Sequence, residues 1–218
     1  MVVAAESGLD GINAGASEAT GRLKVTAPAV MAHSGLIERI VAFASAHPKV
    51  ELDVSFTDVR RDLIGEGIDV AIRMGWLKDS SLKSKKLASE DRLLLAAPSY
   101  VDGLDTPTHP SDLQQWNLIL LSGVGRQVGF EHHSEQSLTL TVSPRIVVDD
   151  AVALYRMVRA GAGLGALPRF LAADDLAAGR VVEVLPEWRL ASLGVYAVWP
   201  PNAPRGGLTS RFVEFLVK

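Results

Sequence analysis

The chain has 218 residues, of which 48% are apolar and 22% charged, and it carries a formal net charge of −3. This composition is typical of a soluble globular protein and excludes disordered and fibrous classes. Proteins that bind DNA by themselves usually carry a basic excess, so direct phosphate binding by this chain is not expected. The absence of cysteine excludes disulfides, thiolate catalysis and cysteine-ligated zinc. With no long apolar run and no secretory pattern, a cytoplasmic protein is expected.

The first third of the sequence alternates strand and helix patterns. Residues 1–20 are rich in Ala, Gly and Ser, and are predicted to lie outside the fold as a solvated tail or as the end of a linker helix. Residues 23–27 alternate as a strand that Pro28 ends. Helical spacing then predicts a helix over residues 36–46, with Phe43 off the main stripe, so that the apolar face is broad enough to contact a partner.

The pattern continues with two more strands before a polar stretch. Alternation predicts a strand over residues 50–56, and a short helix is predicted at Leu63 and Ile64. A third strand over residues 68–72 follows, and residues 76–86 are predicted to be a surface connection. Strands that alternate with helices through short connections indicate a parallel sheet with right-handed crossovers.

A strand over residues 93–97 follows, and the stretch with Pro107 and Pro110 is a predicted lobe junction. The second half repeats the arrangement after this junction, and its predicted strands cover residues 116–121, 138–142 (an edge strand), 181–185 and 195–199. Its predicted helices cover residues 171–176 and 209–217, the last with Phe212, Phe215 and Leu216 turned inward.

Residues 145–168 form the best-marked unit, a predicted β-α-β. The β-branched run of residues 146–148 is typical of a strand buried on both faces. Asp149 and Asp150 stand where the next helix begins, and Gly161 and Gly163 stop it before a second buried strand. A dinucleotide fingerprint needs its glycines after a strand and before a helix, and this order is the reverse, so nucleotide binding is rejected.

Several blocks of the sequence resemble the effector-binding domain of LysR-type transcriptional regulators. They are GRLKVTAPAV, FTDVRRDLIGEGIDVAIRMG, LLLAAPSYV, VVDDAVALYRMVRAGAGLGALP and VVEVLP, and they occur in the family's order from about Gly21 to Lys218. No single block is diagnostic, but the combination is specific. The winged helix-turn-helix of a full-length member does not appear in the sequence. DNA binding is therefore expected only through an N-terminal domain outside it.

The resemblance implies an α/β fold of two Rossmann-like lobes joined by two crossover strands, periplasmic-binding-protein-like (type 2). Lobe I is expected to comprise residues 21–95 and 196–218, and lobe II residues 96–195, with crossings near residues 94–98 and 193–198. It also implies a small-molecule effector in the cleft between the lobes, homodimers or tetramers formed through lobe helices, and no membrane association.

The candidate ligand residues follow from the rule that ligands bind beyond the carboxyl ends of parallel strands, near helix N-termini. They are Pro28, Ala29, Val30, His33, Thr57, Asp58, Arg73, Met74, Gly75, Ser122, Gly123, Arg126, Val148 and Asp149.

Each candidate also has a plain structural interpretation. His33 is consistent with a plain surface histidine, and Thr57 and Asp58 with helix caps. Arg73 could bind an effector carboxylate or pair with Asp69 or Asp58. The loop of residues 122–126 has glycines that favour an anion site or simply a flexible loop. Capping is the leading interpretation for residues 149–150.

No catalytic or metal motif stands out. His132 and His133 are adjacent, so on a strand they point to opposite faces, and no third ligand lies near them in the sequence. No nucleophile elbow, P-loop or paired-carboxylate motif is present, so an enzyme, a metal and a cofactor are not expected.

The sequence therefore predicts a regulatory domain in which a small organic acid or aromatic metabolite biases the angle between two lobes. The helix over residues 36–43 and the helix over residues 151–158 are the predicted two-fold contact. Two alternatives remain open. One is a solute-binding protein of a transport system, which shares this architecture, and the other is a small α/β enzyme that uses the same cleft.

Overall fold

The structure is a computed structural model that describes residues 19–59, 61–75, 81–132, 134 and 137–217. The predictions for the tail of residues 1–18, for the first part of the polar connection and for His133 lie outside these residues. Within the described ranges, no helix is both long enough and apolar enough to span a membrane.

The elements follow one another in the order below. The strands are β1 (Gly21–Ala27), β2 (Val50–Phe56), β3 (Val70–Met74), β4 (Lys83–Glu90), β5 (Arg92–Ala96), β6 (Leu118–Leu121), β7 (Gln127–His132), β8 (Ser137–Thr141), β9 (Ile146–Val148), β10 (Leu164–Pro168), β11 (Val182–Glu183), β12 (Trp188–Leu190) and β13 (Leu193–Trp199). The helices are α1 (Leu36–Ala46), α2 (Pro98–Val101), α3 (Ala151–Arg159), α4 (Arg169–Ala177) and α5 (Leu208–Val217), with short 3-10 helices at Ala29–His33 and Pro110–Gln115.

The first sheet has the strand order β2-β1-β3-β13-β4. β1 is parallel to β2 and to β3, whereas β13 runs antiparallel to both β3 and β4. Helices α1 and α5 cover this sheet. They contact each other through Phe43 of α1 and Phe212 of α5, which lie edge-on with 4.9 Å between their ring centroids. The predicted strands over residues 23–27 and 50–56 and the predicted C-terminal helix are confirmed.

The apolar surface of α1 divides into two rows, which corrects the predicted position of Phe43. Phe43 is fully buried and lies in the core with Leu36, because these two residues are seven apart and share one helix face. Val41, which was predicted to be in the main stripe, is 58% exposed. The broad apolar face therefore consists of a core row, with Leu36 and Phe43, and an outer row, on which Val41 is exposed.

The second sheet has the strand order β11-β5-β10-β6-β9. β6 is parallel to β9 and to β10, so α3 crosses from β9 over β6 to β10, and the predicted β-α-β unit is confirmed. The predicted two-sided burial of β9 is wrong, because β9 is an edge strand and Val147 is 54% exposed.

Glycine is required where α3 packs on β10. A Cβ atom added at Gly165 would lie 2.7 Å from a methyl of Leu154 and 2.8 Å from a methyl of Val158, both on α3. A side chain there would push the helix off the sheet. The glycine run is therefore a packing device, as the order of elements predicted.

Two local predictions are corrected, and one further strand is found. Leu63 and Ile64 lie in a hydrogen-bonded turn and not in a helix. The predicted surface connection of residues 76–86 overlaps the start of strand β4, which continues to Glu90 and pairs with β13. β4 has no alternating pattern because it is an edge strand, and its exposed lysines suit an edge that must not pair with another chain. β7, which was not predicted, joins β8 and β12 in a third small sheet with β8 at its edge.

The chain passes between the two large sheets twice. It leaves the first sheet after Glu90 and enters the second at Arg92, and it returns between Leu190 and Leu193. The first passage lies ahead of residues 94–98, because β5 pairs only with β10 and β11 of the second sheet. The two sheets with their helices are the two α/β lobes, and the passages connect them.

Candidate functional site

A cleft of about 720 Å³ lies between the lobes. Both lobes contribute the segments that follow the carboxyl ends of their strands, which is where open parallel sheets place ligands. The first lobe contributes Pro28, Val30, Asp58, Val59, Met74 and Gly75. The second contributes Ile119, Leu121, Ser122, Gly123, Val124, Asp149, Asp150, Ala151, Leu154, Ala166, Leu167 and Pro168, and the two passages add Arg92 and Leu193.

Most of the sequence-predicted candidates come together in this cleft. Those that line it are Pro28, Val30, Asp58, Met74, Gly75, Ser122, Gly123 and Asp149. Those outside its lining are Ala29, His33, Thr57, Arg73, Arg126 and Val148. The strand-end rule selects loops that line the cleft, but it does not determine which way each side chain points.

Neither of the two predicted arginines lines the cleft. Arg73 precedes Met74 in β3, and consecutive residues of a strand point to opposite faces, so the residue that reaches the cleft is Met74. Arg126 is exposed just before β7, where its carbonyl accepts a hydrogen bond from the N–H of Val142 at 2.8 Å.

Two cleft carboxylates cap helices. Asp58 accepts a hydrogen bond from the N–H of Ala29 at 3.2 Å, so it caps the 3-10 helix that follows the neighbouring strand β1. Asp150 accepts one from the N–H of Ala153 and is the N-cap of α3, as predicted. Its neighbour Asp149 is exposed on the cleft wall.

Arg92, which the strand-end rule does not predict, lies at the first passage between the lobes. Its Nε donates a hydrogen bond to the carbonyl oxygen of Ala191 at 2.9 Å. Burial lowers the pKa of Arg92, because a cation removed from water is less stable. The residue is followed directly by the buried run of residues 93–96, so in the sequence it looks like an ordinary charged residue at the start of a strand.

The cleft combines apolar walls with a small number of charges. Of the described residues that line it, Arg92 alone is cationic, and Asp58, Asp149 and Asp150 are anionic. The described lining has one hydroxyl, that of Ser122, and contains no histidine that could act as its base. Such a site is suited to hold a small molecule with an apolar body and few polar groups.

No metal centre is seen in the part of the chain that the structure describes, where no three His, Asp or Glu side chains group together. His132 makes contacts within the protein that differ from those of a metal-coordinating histidine. Its ring packs against Trp188 with 4.8 Å between centroids, and its Nδ1 is 2.7 Å from the hydroxyl of Ser134.

Two α/β lobes, each built on its own sheet, with a ligand-sized cleft between them and two passages of the chain, define the two-lobed class of periplasmic-binding-protein-like domains. Residues 16–218 match the family model described as the LysR substrate binding domain. The chain therefore belongs to this family, the effector-binding domains of LysR-type transcriptional regulators.

Individual relatives agree with this assignment. The HTH-type transcriptional regulator PtxR of Pseudomonas aeruginosa is 34% identical over 201 residues, which cover 91% of this chain and 64% of PtxR. An uncharacterized HTH-type transcriptional regulator of Haemophilus influenzae is 29% identical over 185 residues, or 84% of this chain and 64% of that protein. The chain thus spans about 64% of the length of these two relatives.

Solved structures show the same fold. Full-length AphB of Vibrio cholerae, described as a virulence activator, superposes with a TM-score of 0.77 at 21% identity, covering 91% of this chain and 68% of AphB. The regulatory domain of CrgA from Neisseria meningitidis has a TM-score of 0.75 at 23% identity, covering 91% of this chain and 98% of that domain.

Proposed function

We propose that this domain senses a small organic anion that binds in the interlobe cleft and changes the angle between the lobes. The observation that carries the proposal is the cleft itself, because residues of both lobes line it. A ligand that contacts both walls stabilises one lobe angle over others by its differential affinity for the two states. The domain is therefore a binding module and not an enzyme.

The charges of the cleft support an anion with a single negative charge. Arg92 supplies one cation, and the N-terminus of α3, whose dipole favours negative charge, opens on the same space at Ala151. The three aspartates would repel a second negative group. The volume of about 720 Å³ fits a metabolite of ordinary size.

The ligand proposal is tested by thermal unfolding of the domain with a library of carboxylates and uncharged compounds. A ligand that binds only the folded state and is present at 100 times its Kd adds about 2.7 kcal/mol to the free energy of unfolding. We expect carboxylates to raise the melting temperature. If only uncharged compounds raised the melting temperature, the proposal that the ligand is an anion would be contradicted. Chemical conversion of the bound compound would favour the enzyme alternative.

The second part of the proposal is that lobe angle is transmitted through a homo-oligomer to DNA-binding domains outside this sequence. The outer row of α1 supports this, since Val41 is 58% exposed on a helix whose other face is core. In the proposed dimer, helix α3 in the second lobe of one copy covers the outer row of α1 in the first lobe of its partner. The two-fold axis repeats this contact, so it occurs twice in the dimer.

Sedimentation at micromolar concentration tests the oligomer. We expect the wild type to be dimeric and Val41→Glu to be monomeric, because a buried carboxylate without a partner is costly at an interface. Ile64→Glu is the matched control, because Ile64 is 65% exposed on a turn of the first lobe and is not part of α1. This variant should remain dimeric. A strictly monomeric wild type would contradict transmission through this contact.

A further inference from the structure

A second cavity, of about 370 Å³, lies in the second lobe at the end of the sheet opposite the interlobe cleft. The segment that follows β5 borders it, and so does Trp116, which stands shortly before β6. Strand β6 then runs from this cavity to the cleft, where Leu121 and Ser122 lie. The described linings of the two spaces share no residue, so the second cavity is a separate site.

Trp116 gives this cavity a hydrogen-bond donor. Its side chain is only 9% exposed, and its ring lies edge-on to Tyr100 with 5.6 Å between centroids. The Tyr100 hydroxyl accepts a hydrogen bond from the N–H of Asn117 at 2.7 Å, which fixes the two rings at the start of β6. Among the described residues, no acceptor bonds the indole N–H, although every fully buried side-chain nitrogen or oxygen there has a partner. The N–H is therefore open to the cavity that Trp116 lines.

The rim of the cavity carries negative charge. Asp102 and Asp105 are exposed there, and neither carboxylate has a hydrogen-bond or ion-pair partner in the described part of the chain. Glu183 also belongs to the lining, but it is opposite Leu95 in antiparallel register. Its side chain therefore points to the sheet face of Leu95 and not to that of Trp116. The described lining contains no lysine, arginine or histidine, so a cation complements it.

The remaining walls are mainly apolar and include Val101, Leu104, Val184 and Leu185. We propose that this cavity binds a small primary amine that also carries a neutral carbonyl oxygen and an apolar side chain. The ammonium group faces the rim carboxylates, the carbonyl oxygen accepts the indole N–H, and the side chain packs on the apolar walls. A free carboxylate in place of the neutral carbonyl would be repelled by the aspartates. The site is independent of the proposed function of the cleft.

Three probes separate the parts of this recognition. Leucinamide carries the ammonium group, the carbonyl oxygen and the apolar side chain. N-acetyl-leucinamide lacks the ammonium group, and isoamylamine lacks the carbonyl. Dissociation constants are measured by calorimetry at about pH 6, where an α-amino group is protonated. The proteins are the wild type, the double variant Asp102→Asn with Asp105→Asn, Trp116→Phe, and the control Asp174→Asn, which is exposed on α4 outside the cavity lining.

We expect the wild type to bind leucinamide about three- to tenfold more tightly than either of the other compounds, because exposed carboxylates and one hydrogen bond each contribute modestly. The double variant should lose the preference over N-acetyl-leucinamide and keep the preference over isoamylamine. Trp116→Phe keeps an aromatic ring without the N–H, so it should show the opposite pattern. Asp174→Asn should behave as the wild type.

Nuclear magnetic resonance locates the ligand. The indole N–H resonance of Trp116 is the one that disappears in Trp116→Phe, and leucinamide should shift it in the wild type and in Asp174→Asn. An unshifted resonance, or no measurable binding of leucinamide at millimolar concentration, would overturn the site. Equal affinity of the wild type for leucinamide and N-acetyl-leucinamide, or an ammonium preference that survives in the double variant, would overturn the role of the rim carboxylates. Each of these failures leaves the proposed function of the cleft standing.

Discussion

The molecule contains two groups of charges that are used in different ways. In the Asp175 cluster, a carboxylate whose side chain is 8% exposed accepts hydrogen bonds from the Tyr155 hydroxyl and from Arg180 Nε, and Arg159 Nε lies 2.9 Å away. In the cleft, one half-buried guanidinium shares an open space with three carboxylates. The cluster satisfies its charges internally and ties α3 to α4. The cleft charges border an open space, although Asp58 and Asp150 also cap helices.

The Asp175 cluster shows how structural charges can be distinguished from cleft charges in this fold. The pKa of Asp175 is lowered, first by the hydrogen bond from Tyr155 and then by the hydrogen bond from Arg180. The pKa of Tyr155 is raised to about 12, first by burial and then by the hydrogen bond to Asp175. Groups that shift each other in this way contribute to folding, so changing them should affect stability and leave ligand selection unchanged.

The largest expected effect is that of Asp175→Asn. The neutral amide cannot replace the charge that Arg159 and Arg180 face, and we expect a loss of about 2 kcal/mol in the free energy of unfolding, the range for hydrogen bonds to charged groups. Both arginines are about half exposed, so solvent limits the loss. Urea unfolding measures it. Asp174→Asn, on the exposed neighbour, should stay within about 0.5 kcal/mol of the wild type.

The adjacent aspartates at the start of α3 give a smaller contrast. Asp150→Ala removes the N-cap bond to Ala153 and should cost about 1 kcal/mol of stability. Asp149→Ala should change stability by less than about 0.5 kcal/mol, because Asp149 is exposed and is not the cap. In contrast, Asp149→Ala should improve the binding of anions in general, since it removes a like charge from the cleft wall. Equal destabilisation by both variants would show that capping does not distinguish them.

The smallest expected effect is in the pH dependence of stability. The folded-state pKa of Tyr155 is above its ordinary value of 10.0, so its contribution is complete below pH 10 and is lost as the pH rises toward about 12. For Asp175, whose pKa is below its ordinary value of 3.8, the contribution is present above that value and is lost as the pH falls below it.

Melting temperatures of the wild type and Tyr155→Phe across the pH range test this assignment. At neutral pH the variant should lose about 1 kcal/mol, the value of one hydrogen bond. The difference between the two proteins should shrink above pH 10, because the wild type loses the same interaction there. A difference that stays constant up to pH 12 would argue that the hydroxyl has no special partner in the folded state.

The candidate site was predictable at the level of loops. Asp58, Gly75 and Ser122 all follow strands that alternation or apolar runs predict, and the strand-end rule brings them to one edge. Arg73 and Arg126 are predicted ligand residues because they carry charge near strand ends. Side chains along a strand point alternately to opposite faces, and side chains of a loop follow no regular period, so the sequence does not show which of them reach the cleft. Arg92 lies at the start of a strand, so a rule based on strand ends passes over it.

The local order of elements can be predicted from sequence patterns, because apolar periodicity, caps and glycines act between near neighbours. The β-α-β unit of residues 145–168, its cap at Asp150 and the reason against nucleotide binding all follow from this local information. Features that depend on distant partners become visible once the chain is folded. Phe43 is core because α5 covers it, and β4 is a strand because β13 pairs with it. Arg92 reaches the cleft because antiparallel pairing with β10 places the start of β5 at the lobe boundary, a contact between residues more than 70 positions apart.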